Sequence, residues 1–228
     1  MPRTIIFANG FLPDLGSARH LIQPDDILYA ADGGTRHALA LGLLPSVVIG
    51  DLDSLMPDDR RRLEALGVEI KQYPRDKNET DLELALNFAI QTGTHEILIV
   101  GALGGRLDQT LGNLSLLSDS RLSKYDIRLD DGVEEVFFTR KRNEIRGKPA
   151  DIVSLIPWGT EVTGICSEGL RWPLRSETLF PESTRGISNE MLNEMAGIEI
   201  ASGLLLCIHW RKRVFGNHAS EVFLAPDS

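Results

Sequence analysis

Cysteine is scarce in this chain, with only Cys166 and Cys207 among 228 residues. The two are widely spaced and form no paired motif, so neither a zinc site nor a dithiol redox couple is encoded. None of the five histidines pairs with another at helical spacing, which removes the remaining common zinc ligands. Both thiols are expected to be free and buried, as in a reducing cytosol. Long apolar runs are missing too: nothing approaches the roughly 18 apolar residues of a membrane-spanning helix. The apolar stretch at 4–9 is too short for a signal peptide and reads as a first strand. Basic charge is in deficit, 24 Lys and Arg against 33 Asp and Glu for a net charge of −9. That balance disfavours the basic patches that nucleic-acid binding requires. There is also no Gly-x-x-x-x-Gly-Lys-[Ser/Thr] phosphate loop and no Gly-x-Gly-x-x-Gly dinucleotide fingerprint. A cytoplasmic protein without nucleic-acid or membrane partners is the expectation.

What remains is ordinary globular material. A hydrophobic share of 42% against 25% charged residues can bury a core in one large domain or two small ones. Short apolar runs at 4–9, 27–31, 47–50, 68–73, 96–101 and 127–129 predict strands, with helical patterns at 35–41, 58–66, 80–91 and 108–117. The helix at 80–91 is the best marked. Thr80 with Glu83 matches a capping box, Leu82, Ala85, Leu86 and Ala89 supply an apolar stripe, and Gly93 stops it. This alternation predicts a mainly parallel sheet covered on both faces. Beyond about residue 133 helical periodicity fades, and runs such as 136–139, 152–156 and 204–210 are separated by Gly, Pro and Asn, predicting an all-β second domain. The expected fold is therefore α/β, a Rossmann-like N-terminal domain over 1–138 followed by a β-sandwich domain over 139–228. The apolar strand at 204–210 needs covering, which points to a second subunit.

The aspartates carry the chemistry. Asp32 follows the second predicted strand in Ala31-Asp32-Gly33-Gly34, and Asp51 and Asp53 follow the third in Gly50-Asp51-Leu52-Asp53-Ser54. Asp76 and Asp81 lie beyond the fourth, and Asp108 follows the fifth in Gly104-Gly105-Arg106-Leu107-Asp108. In an open parallel sheet the carboxyl ends of the strands share one edge, and ligands bind there. Each piece also has a purely structural alternative. Asp108 and Thr80 suit helix caps, Asp81 suits a first turn, Asp-Gly-Gly is a common turn, and Arg75 and Lys77 serve equally as solvated charge. Capping does not explain Asp51 beside Asp53 directly after a buried strand, because so much like charge is costly without a cation. Mg²⁺, which favours carboxylates together with substrate phosphates, is the expected ion. Arg106, Lys77 and Arg75, with the backbone N–H groups of the Gly104-Gly105 turn, are the expected phosphate contacts.

Taken in order, these motifs resemble those of the thiamine pyrophosphokinases. Gly169-Leu170-Arg171-Trp172-Pro173-Leu174 and Thr184-Arg185-Gly186-Ile187-Ser188-Asn189-Glu190 are similar to that family's thiamine-binding segments. The resemblance implies Mg²⁺-dependent transfer of diphosphate from ATP to the hydroxyl of thiamine, giving thiamine diphosphate and AMP. It also implies a homodimer with active sites at the subunit interface. Under it, Asp51, Asp53 and Asp81 would hold Mg²⁺ and act in catalysis with Asp108. Asp32, Gly33, Gly34, Lys77, Thr80, Gly104, Gly105 and Arg106 would bind ATP, and Trp172, Ser188 and Asn189 would bind thiamine. Trp172 would offer a flat face to the vitamin's rings, the alternative being a tryptophan packed in the core. The chain departs from the family pattern at Leu52, where Phe is common, at Gln109, often His, and at Asn78, frequently Asp. The last two alter the charge balance of the site but not the Asp51–Asp53 pair. Two rival readings are a diphosphokinase for another alcohol, such as a hydroxymethylpterin, and a non-catalytic thiamine or nucleotide sensor.

Overall fold

In a computed structural model, which describes residues 2–212, the apolar runs of the first part of the chain form six strands. They are β1 (Thr4–Phe7), β2 (Ile27–Ala31), β3 (Val47–Gly50), β4 (Glu69–Gln72), β5 (Glu96–Val100) and β6 (Asp126–Asp130), all parallel to their neighbours. The connections carry helices α1 (Leu15–His20), α2 (Thr35–Ala40), α3 (Pro57–Ala65), α4 (Asp81–Gln91) and α5 (Leu107–Leu117). β1 and β3 are buried at every position, which is why they read as unbroken apolar runs rather than alternating ones. Ile6, Ala31 and Ile49 face one side and pack with Leu82, Ala85 and Leu86 of α4 and Leu114 of α5. Ile5, Phe7 and Val48 face the other, against Ala18 of α1, Ala38 of α2 and Leu63 of α3. Helix α1 was not anticipated, being too short to show a period; Asp14 caps it by accepting from Gly16 N and Ser17 N.

The strand order β4-β3-β2-β1-β5-β6 decides where a ligand can sit. The chain steps outward from β1 to β4, then crosses to the far side of β1 at β5, and the helices change face at the same crossing. Loops leaving β1 and β5 therefore diverge to opposite faces and open a crevice at their carboxyl ends.

The large sheet continues past the expected domain boundary. β7 (Glu134–Thr139) pairs antiparallel with β6 on one side and with β14 (Leu205–Trp210) on the other; β9 (Ile152–Pro157) and β12 (Asn189–Glu190) complete ten strands. β8 (Arg142–Arg146), β10 (Val162–Glu168), β11 (Arg175–Leu179) and β13 (Met195–Glu199) form a separate antiparallel sheet. Phe137, Leu155, Leu205 and Cys207 of the large sheet share one buried apolar cluster with Ile145, Ile165 and Ile198 of the small one. The chain is thus an α/β protein with a large mixed sheet and a second antiparallel sheet. Residues 213–228 of the expected second domain lie outside the described residues.

β14 is paired along its whole length by β7 and β9, and its side chains other than Ile208 and Trp210 are buried within the chain. One expectation is corrected. Cys166 is exposed rather than buried, while Cys207 is buried and desolvation pushes its thiol up to about 12. Among the described residues no helix is long and apolar enough to cross a membrane.

Close backbone approach ties β2 to β1. A Cβ on Gly34 would lie 2.0 Å from the Phe7 carbonyl oxygen, whereas one on Gly112 in α5 would meet nothing within 4 Å. Gly34→Ala should therefore destabilise the protein by about 2–3 kcal/mol. Gly112→Ala should stabilise it by about 0.5–1 kcal/mol through helix propensity. Urea denaturation reads both, and a shift of the same sign in the two variants would contradict this packing account.

Candidate active site

A cavity of about 540 Å³ opens at the crevice between β1 and β5. Asn9, Gly10 and Phe11 reach it from β1, Asp32 from β2, Lys77, Thr80 and Asp81 from the start of α4, and Gly104, Gly105 and Arg106 from the turn before α5. Carboxylate oxygens of Asp32, Asp51 and Asp53 lie within 4.8 Å of one another. Asp32 is buried, and its Oδ1 accepts no hydrogen bond. A Cβ on Gly50 would come within 2.9 Å of Asp32 Cβ and 3.0 Å of Asp81 Cγ, so only glycine lets the acidic loops converge. Asp32 and Leu52 both adopt positive φ, 42° and 66°, a strained conformation for residues with a Cβ. Leu52 is buried and packs into the core beneath α3, which anchors the loop between Asp51 and Asp53. Asp51 Oδ1 accepts from Asp53 N at 3.1 Å, closing the turn.

One cation sits close to this charge. Lys77 Nζ lies 2.9 Å from Asp81 Oδ1 and 3.8 Å from Asp51 Oδ2. Desolvation disfavours its ammonium, but the Asp81 hydrogen bond and the charges of Asp81, Asp51 and Asp32 outweigh it and hold the pKa above the usual lysine value. Asp81 is pushed up as well, first by desolvation, which Lys77 partly offsets, and further by Asp32 and Asp51. Negative charge is therefore in excess even with Lys77 present. An all-oxygen cluster in which Asp32 Oδ1 is buried without a hydrogen bond and Asp81 Oδ1 faces only the Lys77 ammonium fits a hard divalent cation.

The three carboxylates that gather most closely are Asp32, Asp51 and Asp53; Asp81 stands beside them, its Oδ1 2.9 Å from Lys77 Nζ. Asp108 stands apart from the cluster: it is exposed and bound two-pronged to Arg106, whose hydrogen bond holds its carboxyl below the usual range. Nor is Asp108 a cap, since Arg106 occupies the N-cap of α5 and gives no side-chain hydrogen bond there. Thr80 does cap α4, accepting from Glu83 N at 3.2 Å. Gly33 and Gly34 are absent from the cavity wall; Gly33 packs on Asn9 and Gly34 on the Phe7 carbonyl, shaping the turn that presents Asp32. Gly104 and Gly105 take φ of 70° and 76°, where glycine is favoured. Asn9, Gly10 and Phe11 went unnoticed because they carry no charge, although the strand-edge rule applies to β1 as much as to β2–β5. Gln109 and Asn113 also line the cavity, on the face of α5 that continues from Arg106.

A second group of residues gathers elsewhere. Leu170 bridges Met191, and Arg171 N donates to Glu190 O at 2.9 Å, so the segments around Trp172 and Asn189 lie side by side. Trp172 is 53% exposed, which removes the core alternative. Asn189 is spent on the backbone of Trp172, its Oδ1 accepting from Trp172 N at 3.0 Å and its Nδ2 donating to Trp172 O at 2.7 Å. Ser188 has φ of 61° and donates its N–H to Ser154 Oγ at 3.1 Å. Among the described residues none beyond Asn113 lines the acidic cavity, so these two groups do not share it.

Acidic loops at the switch point of a parallel sheet, with Lys77 and Arg106 on the cavity wall, are the arrangement of a phosphate-handling α/β protein. Residues 18–137 match the family described as thiamin pyrophosphokinase, catalytic domain, and residues 141–205 the one described as thiamin pyrophosphokinase, vitamin B1 binding domain. A thiamine pyrophosphokinase of Bacillus subtilis (strain 168) is 32% identical over 78% of this chain and 84% of its own length. One from Oryza sativa subsp. japonica is 32% identical over 73% of this chain and 67% of its own. The crystal structure of a thiamine pyrophosphokinase from Bacillus subtilis superposes with a TM-score of 0.82 at 27% identity, covering 93% of this chain and all (100%) of that one. The chain belongs to the thiamin pyrophosphokinase family, a family of transferases.

The crowded carboxylates make a prediction about stability. With EDTA present, Asp51→Asn should raise stability by on the order of 1 kcal/mol, about 2–4 °C in melting temperature, by removing like charge. Mg²⁺ should stabilise the wild type and not the variant. Because the folded state holds the Asp81 proton more tightly than the unfolded state, the metal-free protein should lose stability as pH rises from the ordinary carboxylate value through the raised one. Mg²⁺ should flatten that loss. Thermal melts with and without Mg²⁺ across pH test this, and a destabilised Asp51→Asn in EDTA would contradict it.

Proposed function

We propose that this chain is a thiamine diphosphokinase, transferring diphosphate from ATP to the hydroxyl of thiamine to give thiamine diphosphate and AMP. The observation that carries the reading is the two-part family match, in order along residues 18–137 and 141–205. The carboxylate cavity lies in the first part and the Trp172 surface in the second. The hydroxyl oxygen attacks the β-phosphorus, a new O–P bond forms, and the bond from that phosphorus to the oxygen bridging the α-phosphorus breaks. AMP leaves with that oxygen, and the hydroxyl proton passes to a cavity carboxylate or to solvent. Such a transfer depends on in-line positioning and charge neutralisation rather than covalent help.

The chain's own residues meet both needs. Asp32, Asp51 and Asp53 would hold Mg²⁺, which when bound supplies positive charge against the polyphosphate oxygens. Asp81 fixes the Lys77 ammonium at the cavity wall, where it meets phosphate as a point charge. Arg106, kept in fork geometry by Asp108, and the N–H groups of the Gly104-Gly105 turn receive further phosphate oxygens. We read residues 1–138 as the Rossmann-like ATP part and 139–228 as a β-sandwich thiamine part. In the latter Trp172 presents its face to the vitamin, Asn189 positions Trp172, and Ser188 stands beside them. Since the acidic cavity and the Trp172 surface are separate within one chain, the reading joins them across a homodimer. The exposed apolar side chains of Trp172, Ile187 and Leu192 fit such a contact. A cytoplasmic location accords with two free thiols.

A coupled assay for AMP release is the direct test: thiamine should support turnover and a hydroxymethylpterin should not. Asp53→Asn should reduce turnover by at least about 100-fold while leaving the fold intact, and near-normal activity would remove the metal role. Trp172→Ala should weaken thiamine binding by about 1–3 kcal/mol, roughly 5- to 150-fold in Kd, with ATP-analogue affinity and melting temperature unchanged. Unchanged thiamine affinity would detach the vitamin site from this surface.

A further inference from the structure

We infer that Phe11 is the platform on which the nucleotide base stacks, and that it sets a preference for purines. The inference rests on the diphosphate-transfer reading, since it takes the nucleotide's phosphates to lie against Lys77 and Arg106. Phe11 is the only aromatic among the described residues lining the cavity, and it is 59% exposed. A single exposed phenylalanine needs no explanation; its setting does.

Gly10, immediately before it, is pinned on both sides. Its N–H donates to Gly101 O at 2.7 Å, and its carbonyl oxygen lies 2.8 Å from His37 Nε2. A Cβ at Gly10 would clash with Gly101 O, so only glycine lets the chain leaving β1 pass this close to the end of β5. Phe11 is thus carried on fixed backbone at the switch point. Opposite it stands the Gly104-Gly105 turn. A Cβ at Gly104 would touch Phe11 Cβ and Cδ1 at 3.6 Å, and one at Gly105 would touch Phe11 Cβ at 3.7 Å. A side chain at Gly104 would begin to cover the ring edge, and one at Gly105 would crowd the Phe11 Cβ and backbone N; glycine at both positions keeps this approach open. A flat apolar face and a turn offering N–H groups to phosphate therefore share a cavity of about 540 Å³, a size that suits a nucleotide. Aromatic faces accept every base, but a purine buries more area on the ring than a pyrimidine.

The test is calorimetric, with Mg²⁺ and without thiamine, using α,β-methylene ATP, the matching UTP analogue and inorganic tripolyphosphate. Phe11→Ala should weaken the ATP analogue by about 5- to 100-fold, leave tripolyphosphate within about twofold, and narrow the gap between the ATP and UTP analogues. Phe11→Trp should restore the affinity, and because the side chain is exposed both variants should melt as the wild type does. Wild-type affinity in Phe11→Ala, or equal losses for the analogue and tripolyphosphate, would overturn the platform and leave the transfer reading standing. A wild type that binds tripolyphosphate but not the ATP analogue would overturn that reading, and the platform with it.

Discussion

The site depends on forcing carboxylates together at the edge of a parallel sheet against their own repulsion. Three features impose this. Gly50 has no Cβ to collide with Asp32 and Asp81, Asp32 and Leu52 accept positive φ, and the buried Leu52 side chain clamps the loop that carries Asp51 and Asp53. Strained backbone persists only where surrounding packing over-determines it. Here the cores on both faces of the sheet supply that packing, so the cost is met by apolar burial far from the charges. Lys77 relieves the repulsion only in part, and the remaining imbalance is one that a bound cation would offset.

The net charge of −9 therefore poses no contradiction with a polyanionic substrate. What matters is the local arrangement, because exposed charges beyond about 8–10 Å are screened at physiological salt. Lys77 and Arg106 both line the cavity together with Asp32 and Asp81, so positive and negative groups share its wall. Arg106 is bound two-pronged by Asp108, the same planar fork that suits a phosphate.

Much of this was legible in the sequence, and the reasons are physical. The inner parallel strands β1, β3 and β5 show as apolar runs because they are buried on both faces, and the switch-point rule turned strand ends into a list of acidic loops. Charge drew attention to Asp51, Asp53 and Lys77. It could not tell which acidic loops draw closest to one another, because that depends on a backbone turn set by Gly33 and Gly34 packing on β1. Neutral residues at the β1 edge, Asn9 to Phe11, carried no signal of the kind that charge gives. The exposure of Trp172 and the engagement of Asn189 with its backbone depend on partners 17 residues apart, a separation that no local pattern reports.

The joint between the two halves was the least legible part, and it bears on how they work together. At the junction His209 of β14 is fully buried, its Nδ1 3.4 Å from Glu135 Oε2 and its Nε2 3.0 Å from Asp151 Oδ2. Arg128 of β6 donates to Glu135 at 2.8 Å, and Arg211 forks onto Asp130 at 2.8 and 2.6 Å. Alternating charged residues in short strands read as solvent-facing positions, yet here they close on one another across three strands of one sheet. Breaking one partner of such a network leaves a buried charge uncompensated, so the β6–β7–β14 joint resists bending. The two parts of the chain are therefore joined by shared strands of one ten-stranded sheet rather than by a linker. Within the described residues of one chain, the acidic cavity and the Trp172 surface stand apart on that common frame.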